Sequence, residues 1–432
     1  MIFGTDGIRA KVGDAPLDIT TISKLSAVLA RELPAGATVV LGGDTRESCS
    51  TIRQWVTAYL GDFQLLDLGV VPTPVVAFET RARAAELGIM ITASHNPACD
   101  NGLKFFTRDG LKLTYDVACK WSELVEKDFP LPTPHPPKIT TVTADHYRTF
   151  ILEQFTAADF GGMKLAFDLA HGAGTVLVPQ LLQKLGIDAE LIGNNPDGKN
   201  INDGVGALYP DELSGLVEQF GLHVGFALDG DADRLIVTAP NEVHGDVVLY
   251  ALYRNLIAEG FWPDAVVGTI MCGMGLEKAL AALKVTLVRT AVGDQNVLAE
   301  MVKEGHLLGG EPSGHIIQAD LFPAGDGFLG ALRLARALRR NPNLLRESRA
   351  AIVQYPTYEK AYKVRHMPPL ESITPVKDAL THLNGLLEGV GRTIVRYSGT
   401  EPKLRVYVEA PELYSYQNAI TALETAIAET LT

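Results

Sequence analysis

The densest chemistry in the chain lies in Ala227-Leu228-Asp229-Gly230-Asp231-Ala232-Asp233-Arg234, where three carboxylates stand at alternate positions. On an extended segment side chains two apart point the same way, so Asp229, Asp231 and Asp233 can turn their oxygens toward one hard cation. Without a cation they repel one another, which makes a bare acidic surface loop the weaker reading. An EF-hand is excluded, because its sixth position needs glycine and holds Arg234, and its twelfth needs glutamate and holds Pro240. A small site with few protein ligands suits Mg²⁺, which keeps waters and commonly binds a phosphate as well. An aspartyl-phosphate phosphatase would carry Thr or Val where Asp233 stands.

A serine supplies the complementary chemistry. In Gly88-Ile89-Met90-Ile91-Thr92-Ala93-Ser94-His95-Asn96-Pro97 the apolar run from Leu87 to Ile91 reads as a buried strand that delivers its loop to a sheet edge. The proline disfavours helical geometry before it, so Ser94 and His95 are expected on an extended, exposed loop. A serine there, beside a histidine and shortly before Lys104, could accept phosphate or act as a nucleophile. Taken alone, an ordinary turn is the commoner meaning of such a pair.

Two further stretches offer binding groups. In Gly309-Gly310-Glu311-Pro312-Ser313-Gly314-His315 the two-residue spacing of Glu311 and Ser313 suits a grip on neighbouring sugar hydroxyls, and His315 could move a proton or hold a phosphate. Glycine-rich turns of this kind are often only structural. In the stretch from Arg396 to Arg405, Ser398, Gly399 and Thr400 offer hydroxyls and backbone N–H groups, flanked by the guanidinium forks of Arg396 and Arg405. That mixture makes a nest for a phosphate monoester, against the alternative of a polar hairpin turn with exposed arginines. A serine with a carboxylate triad makes one phosphoryl-transfer locus, and the last loop makes a second phosphate locus without metal ligands. A kinase or phosphatase needs one reactive phosphate. Two loci around a sugar suit an enzyme that moves phosphate between ends of one molecule.

The elements that position these groups alternate. Apolar strands run into small-residue loops and then helical patterns at Thr38–Asp44, Lys164–Ala170 and Asp264–Ile270, which signals α/β units. A stiff linker is expected at Phe129–Pro137, with five prolines in nine positions. Weaker breaks are expected at Ala239–Glu242 and near Arg349–Pro356. Beyond them, strands at Ala361–Val364, Thr393–Arg396 and Leu404–Glu409 and a final helix from Leu413 to Leu431 suggest a small α+β domain. Two motifs are set aside. Gly193-Asn194-Asn195-Pro196-Asp197-Gly198-Lys199-Asn200 resembles a P-loop but has Asn200 where Ser or Thr is needed. Gly325-Asp326-Gly327-Phe328-Leu329-Gly330 matches G-x-G-x-x-G but follows Phe322-Pro323 rather than an evident strand, so Asp326 reads as a helix cap.

The chain has 432 residues, 47% hydrophobic and 21% charged, enough for several cores. Its formal charge of −13 argues against nucleic acid or an anionic membrane as partner, but not against a small anion held by local donors. Cys49, Cys99, Cys119 and Cys272 show no C-x-x-C spacing, so neither a zinc site nor a disulfide framework is indicated. No signal peptide or membrane-spanning run is evident, and a cytoplasmic protein is expected.

With these motifs in view the chain resembles the α-D-phosphohexomutase family over nearly its whole length. Phe3-Gly4-Thr5-Asp6-Gly7-Ile8-Arg9, Ala93-Ser94-His95-Asn96-Pro97 with Asp100–Phe106, and Val292-Gly293-Asp294 point to its glucosamine-phosphate branch. The resemblance implies four domains around a central cleft: 1–138, 139–240 and 241–352, each α/β, and a smaller, mobile α+β domain at 353–432. It implies interconversion of glucosamine 6-phosphate and glucosamine 1-phosphate through a 1,6-bisphosphate, supplying UDP-N-acetylglucosamine synthesis. Ser94 would carry a phosphate, and that phosphate with Asp229, Asp231 and Asp233 would hold one Mg²⁺ per chain. Lys104, a general acid/base candidate, Arg9 and His95 would stand at the transferring phosphate. Glu311, Ser313 and His315 would meet the sugar, and Arg396, Ser398, Gly399, Thr400 and Arg405 the distal phosphate. The partner would be a small sugar phosphate, and a homodimer is compatible with the family. The chain departs from the family pattern at Ala10, at Pro312 and at Gln295-Asn296, the last two where the sugar is expected to be read. Glucose or mannose phosphates, or a non-catalytic sugar-phosphate-binding role, therefore stay open as alternatives.

Overall fold

The structure is a computed structural model that describes residues 2–4, 6–127, 129–398 and 402–432. The chain forms two compact units, one of Met1–Thr269 with Val288–Ser348, the other of Ile270–Leu287 with Arg349–Thr432.

The first sheet contains β1 (Ile8–Lys11), β2 (Thr38–Gly43), β3 (Gln64–Val70), β4 (Leu87–Ile91), β5 (Asp100–Thr107) and β6 (Ile139–Thr141), in the order β1-β5-β4-β2-β3-β6. Only β5 runs against its neighbours. β4 is interior and buried at every position, so its sequence shows an unbroken apolar run instead of alternation. The helix Thr73–Ala82 packs on β2, β4 and β5. The proline-rich stretch 129–138 carries no helix or strand and leads into β6, which pairs with β3.

The second sheet, in the order β11-β10-β9-β7-β8, contains β7 (Leu165–Asp168), β8 (Ala189–Ile192), β9 (Val224–Leu228), β10 (Leu235–Thr238) and β11 (Glu242–Val243). β9 and β10 form an antiparallel hairpin whose connection carries the three aspartates. Ala239–Glu242 is a tight turn between β10 and β11, closed by the Ala239 N–H donating to the Asn241 carbonyl at 2.9 Å.

The third sheet, in the order β13-β12-β14-β15-β16, contains β12 (Ala265–Thr269), β13 (Thr286–Thr290), β14 (Leu308–Gly310), β15 (Ile316–Gln318) and β16 (Phe322–Gly325). The β14–β15 connection holds Glu311 to His315. The G-x-G-x-x-G stretch does follow a strand, contrary to the expectation. β16 lies at the sheet edge, where Pro323 deprives no neighbour of a hydrogen bond. Asp326 caps the helix Gly327–Arg340, accepting from the Leu329 N–H at 2.9 Å.

The second unit has a three-stranded antiparallel sheet, β17 (Thr357–Lys363), β19 (Lys403–Glu409) and β18 (Arg392–Tyr397) in that order. Leu404, Val406 and Val408 share a core with Val376 and Leu383 of the helix Thr374–Leu387 and with Ile420, Leu423 and Ile427 of the helix Gln417–Leu431. The period-two pattern of β19 thus puts its aliphatic residues on the helix side. The segment Ile270–Leu287 is stitched into this unit. Arg392 donates to the carbonyls of Ile270 at 2.7 Å and Cys272 at 2.6 Å, while Glu409 accepts from the Met274 N–H at 3.0 Å.

Candidate active site

Ser94 follows β4, but not on an exposed, extended loop. It is wholly buried, with φ 53°, a left-handed conformation that costs a residue with a Cβ about 1–3 kcal/mol. Proline's restriction falls on Asn96, and the bonds around Ser94 outweigh local preference. Its N–H donates to Thr92 Oγ1 at 2.9 Å, and the Thr92 hydroxyl donates to Asp44 Oδ2 at 2.7 Å. The buried Arg46 pairs with Asp44 at 2.9 Å and reaches the carbonyls of Ser94 at 3.0 Å, Asn96 at 2.8 Å and Asp100 at 2.9 Å, and that of Pro97. Ser94 Oγ donates to Asp229 Oδ2 at 2.6 Å and lies 3.3 Å from His95 Nδ1.

The aspartates converge, though by a different route from strand alternation. Their loop is a turn in which Ala232 adopts φ 59°, and carboxylate oxygens of Asp229, Asp231 and Asp233 come within 4.8 Å of one another, all three residues buried. Gly230 passes so close to the serine loop that a Cβ there would stand 2.5 Å from the Ser94 carbonyl oxygen. Burial, then Asp231 and Asp233, push Asp229 up to about 7. Burial would raise Asp233 too, but Lys104 and His315 hold it well below the usual carboxylate range. Asp231 Oδ2 accepts from Thr73 Oγ1 at 2.5 Å and Lys104 Nζ at 2.7 Å, whereas its buried Oδ1 has no hydrogen-bond partner among the described residues. An orphaned carboxylate oxygen inside an all-oxygen cluster fits a hard divalent cation.

Cations face this cluster from the first sheet. Lys104 on β5 is buried, donates to Asp231 and Asp233 at 2.7 Å each, and lies 3.2 Å from Asp6 Oδ2. Burial opposes its charge, yet the three carboxylates hold its ammonium well above the ordinary lysine range. Arg9 on β1 pairs with Asp6 at 2.6 Å. Lys112 bridges Asp6 at 2.5 Å and Asp294 at 2.6 Å.

The β14–β15 loop reaches the same cluster. His315 Nε2 lies 3.2 Å from Asp233 Oδ1, and its Nδ1 lies 3.2 Å from Glu311 Oε2. Burial disfavours the His315 cation, but Asp233 overrides it and pushes the imidazole up to about 10, so His315 acts here as a charge partner. Glu311 Oε1 accepts from the Gly293 N–H at 3.0 Å. Glu311 is buried and Ser313 exposed, so the two expected to grip a sugar together stand differently. Gln295 donates to the Leu113 carbonyl at 2.7 Å and Asn296 to the Val292 carbonyl at 3.0 Å, so both side-chain amides are engaged with the protein's own backbone.

In the second unit Arg396 and Arg405 stand directly opposite on β18 and β19, and the Ser398 N–H donates to the Lys403 carbonyl at 2.8 Å. Both arginines line a cavity of about 270 Å³ with Met271 and Tyr407. Gly399 and Thr400, read from the sequence as phosphate donors, lie outside the described residues.

Four family models cover most of the chain. "Phosphoglucomutase/phosphomannomutase, alpha/beta/alpha domain I" matches residues 1–129, domain II 145–242, domain III 244–355, and the C-terminal domain 363–421. The chain belongs to the phosphohexomutase family. Three α/β domains and a C-terminal domain are thus its architecture, and it is an enzyme of the intramolecular phosphotransferase class. A phosphoglucosamine mutase of Xanthomonas campestris is 37% identical, covering 98% of each chain. One from Paraburkholderia phymatum is 40% identical over 94% of each. Among solved phosphohexomutases, a phosphoglucomutase/phosphomannomutase family protein from Burkholderia thailandensis superposes with a TM-score of 0.80 at 21% identity, covering 99% of this chain and 96% of that one. The Aspergillus fumigatus N-acetylphosphoglucosamine mutase in complex with GlcNAc-6P and magnesium has a TM-score of 0.68 at 16% identity, over 100% and 96%. These two likenesses establish the fold. Among the described residues no helix is long and apolar enough to cross a membrane.

Around this candidate site, several residues escaped the sequence reading: Asp44, Arg46, Thr73, Lys112 and Asn202. Asp6 and Asp294 lay in stretches that carried the family resemblance, yet had no assigned role. Arg46, Lys112 and Asn202 stand in no chemical pattern, and only the folded chain shows what they hold.

Proposed function

We propose that this phosphohexomutase interconverts glucosamine 6-phosphate and glucosamine 1-phosphate through a phosphorylated Ser94. The observation that carries the reading is Ser94 Oγ, buried and 2.6 Å from Asp229 at the edge of a three-carboxylate cluster faced by Lys104 and Arg9. The names of the two curated relatives above, both phosphoglucosamine mutases, at 37% and 40% identity, support the glucosamine substrate. In the reaction the phosphorus–Oγ bond breaks as a bond from phosphorus to the C1 hydroxyl oxygen of the sugar forms. The hydroxyl proton passes to a base, for which the candidate is His95, an imidazole that burial and Arg234 keep neutral and that lies 3.3 Å from Ser94 Oγ. Lys104, held as an ammonium, is the candidate acid that gives the departing Oγ its proton. The resulting 1,6-bisphosphate turns end for end, returns its original phosphate to Ser94, and glucosamine 1-phosphate leaves.

Asp229, Asp231 and Asp233, together with the serine phosphate, would hold one Mg²⁺, which when bound supplies positive charge to the transferring phosphoryl group. Arg9 and Lys104 supply the rest of that charge, because phosphoryl transfer depends chiefly on positioning and neutralisation. Glu311, Ser313 and His315 are read as the sugar-facing loop, and Arg396, Ser398, Gly399, Thr400 and Arg405 as the hold on the non-reacting phosphate. The test is Ser94→Ala, with intact mass of the active enzyme and rates on glucosamine, glucose and mannose phosphates compared. Turnover should vanish in the variant, one phosphate should appear on the wild type, and glucosamine phosphate should be the preferred substrate. A phosphate-free active enzyme would sink the scheme.

A further inference from the structure

The segment Gly193–Gly204, which begins with the Gly193–Asn200 stretch set aside above as a P-loop, ends on the serine loop. Asn202, 7% exposed, donates through Nδ2 to the carbonyl of Ser94 at 2.9 Å and to that of Asn96 at 3.1 Å. Those are two of the carbonyls that Arg46 also holds, at 3.0 and 2.8 Å. The two donors come from different sheets: Arg46 follows β2, whereas Asn202 belongs to the long connection between β8 and β9. Asn202 is itself fixed in place. Its N–H donates to the Ala170 carbonyl at 2.9 Å, and its backbone stands at φ 59°. The arm's first residue is held by the His171 N–H, which donates to the Gly193 carbonyl at 2.5 Å. Just past its far end the Gly206 N–H donates at 2.6 Å to the buried Asp168, which also accepts from the Ala170 N–H at 2.9 Å. Midway, the Glu47 N–H donates to the Gly198 carbonyl at 3.0 Å.

β9, which ends at Leu228 just before Asp229, belongs to the same sheet as β7, whose Asp168 anchors this arm. The amide of Asn202 therefore references the Ser94 backbone to the frame that carries the carboxylates, while Arg46 references it to the first sheet. We propose that Asn202 is a positioning residue for phosphoryl transfer, holding the left-handed Ser94 peptide so that Oγ stays in register with Asp229. The inference rests on the reading of Ser94 as the phosphoryl carrier.

Asn202→Gly tests it, since glycine adopts φ near 59° without strain and removes the side chain with its amide. With full-length, fully phosphorylated enzyme and glucosamine 6-phosphate, kcat should fall by about 10²-fold, the scale of a 1 Å misplacement, while KM and the melting temperature stay near wild type. Asn202→Asp keeps the size and turns an acceptor toward two carbonyls, so its kcat should fall further than that of the glycine variant. Should the glycine variant fail to fold, the aspartate variant decides the matter. Wild-type kcat in whichever variant folds overturns the proposal, as does a loss of kcat that only tracks a lowered melting temperature. Ser94→Ala measured alongside separates the two failures. An active Ser94→Ala enzyme would remove the underlying reading, whereas an inactive one beside an unimpaired Asn202→Gly enzyme would remove this inference alone.

Discussion

Gly230 shows how little room there is between the serine loop and the aspartate turn. Between two cation-ligand candidates, it lets the aspartate turn lie against the serine loop, and any Cβ would meet the Ser94 carbonyl oxygen at 2.5 Å and Asn202 Nδ2 at 2.8 Å. Gly230→Ala should therefore push the two loops apart, with kcat falling by roughly 10²-fold because the separation changes at the reacting atoms. Steady-state kinetics with circular dichroism as a fold control would check it; an active alanine variant would mean the loops yield. The acidic and nucleophilic side chains themselves were legible in the sequence, because residue type at short spacing is local information. Their geometry was not. Ser94 and Ala232 both sit at positive φ, the first held by Arg46 and Asn202 and the second by the Gly327 N–H on its carbonyl, all distant along the chain.

Elements bring a different kind of constraint. Asp326 caps the helix Gly327–Arg340 and accepts from the Tyr147 hydroxyl at 2.7 Å, and burial pushes its carboxyl up to about 6. An acid whose pKa is raised on folding stabilises the native state while protonated, and that contribution is lost as pH rises from about 4 through about 6. Asp326→Asn keeps the cap through Oδ1 and turns its Nδ2 toward the Tyr147 hydroxyl as a donor, reversing that bond, but cannot ionise. Its stability relative to wild type should grow across that interval, by about 3 kcal/mol at most for two pKa units, in urea unfolding at pH 4, 5, 6 and 7. A constant difference between the two proteins would refute it. Lys112 links the turn after β5 to the start of the helix Asp294–Glu304, with Gln295 adding its bond to Leu113. Lys112→Met leaves Asp294 without that cation and should cost about 3–5 kcal/mol, the scale for breaking a buried pair. The double variant Lys112→Met, Asp294→Asn should recover part of that loss, and a strictly additive result would show the bridge to be unimportant. Strands β4, β7, β12 and β19 could be read from their apolar patterns. β16 could not, since Phe322-Pro323 hides an edge strand whose bonding lies on one side only.

At the scale of the molecule, the chain order and the compact units disagree. A sequence reading places a boundary near residue 353, because composition and pattern change there. The C-terminal unit nevertheless includes Ile270–Leu287, whose carbonyls at Ile270 and Cys272 hold Arg392, and whose Met274 N–H meets Glu409. Nothing in a local pattern announces a segment that folds with residues over a hundred positions downstream. Arg392→Ala leaves the mostly buried Glu409 without its guanidinium and should lower the melting temperature measurably. A fragment of residues 353–432, which lacks the segment, should melt lower than one fused to 270–287, and equal melting would show the segment to be dispensable.

That stitching has a covalent corollary. The polypeptide passes between the two units three times, at 269/270, 287/288 and 348/349, where a simple chain of two units would pass once. A single proteolytic nick at any one passage leaves two intact strands of backbone joining the pieces, so release of the C-terminal unit requires all three to be severed.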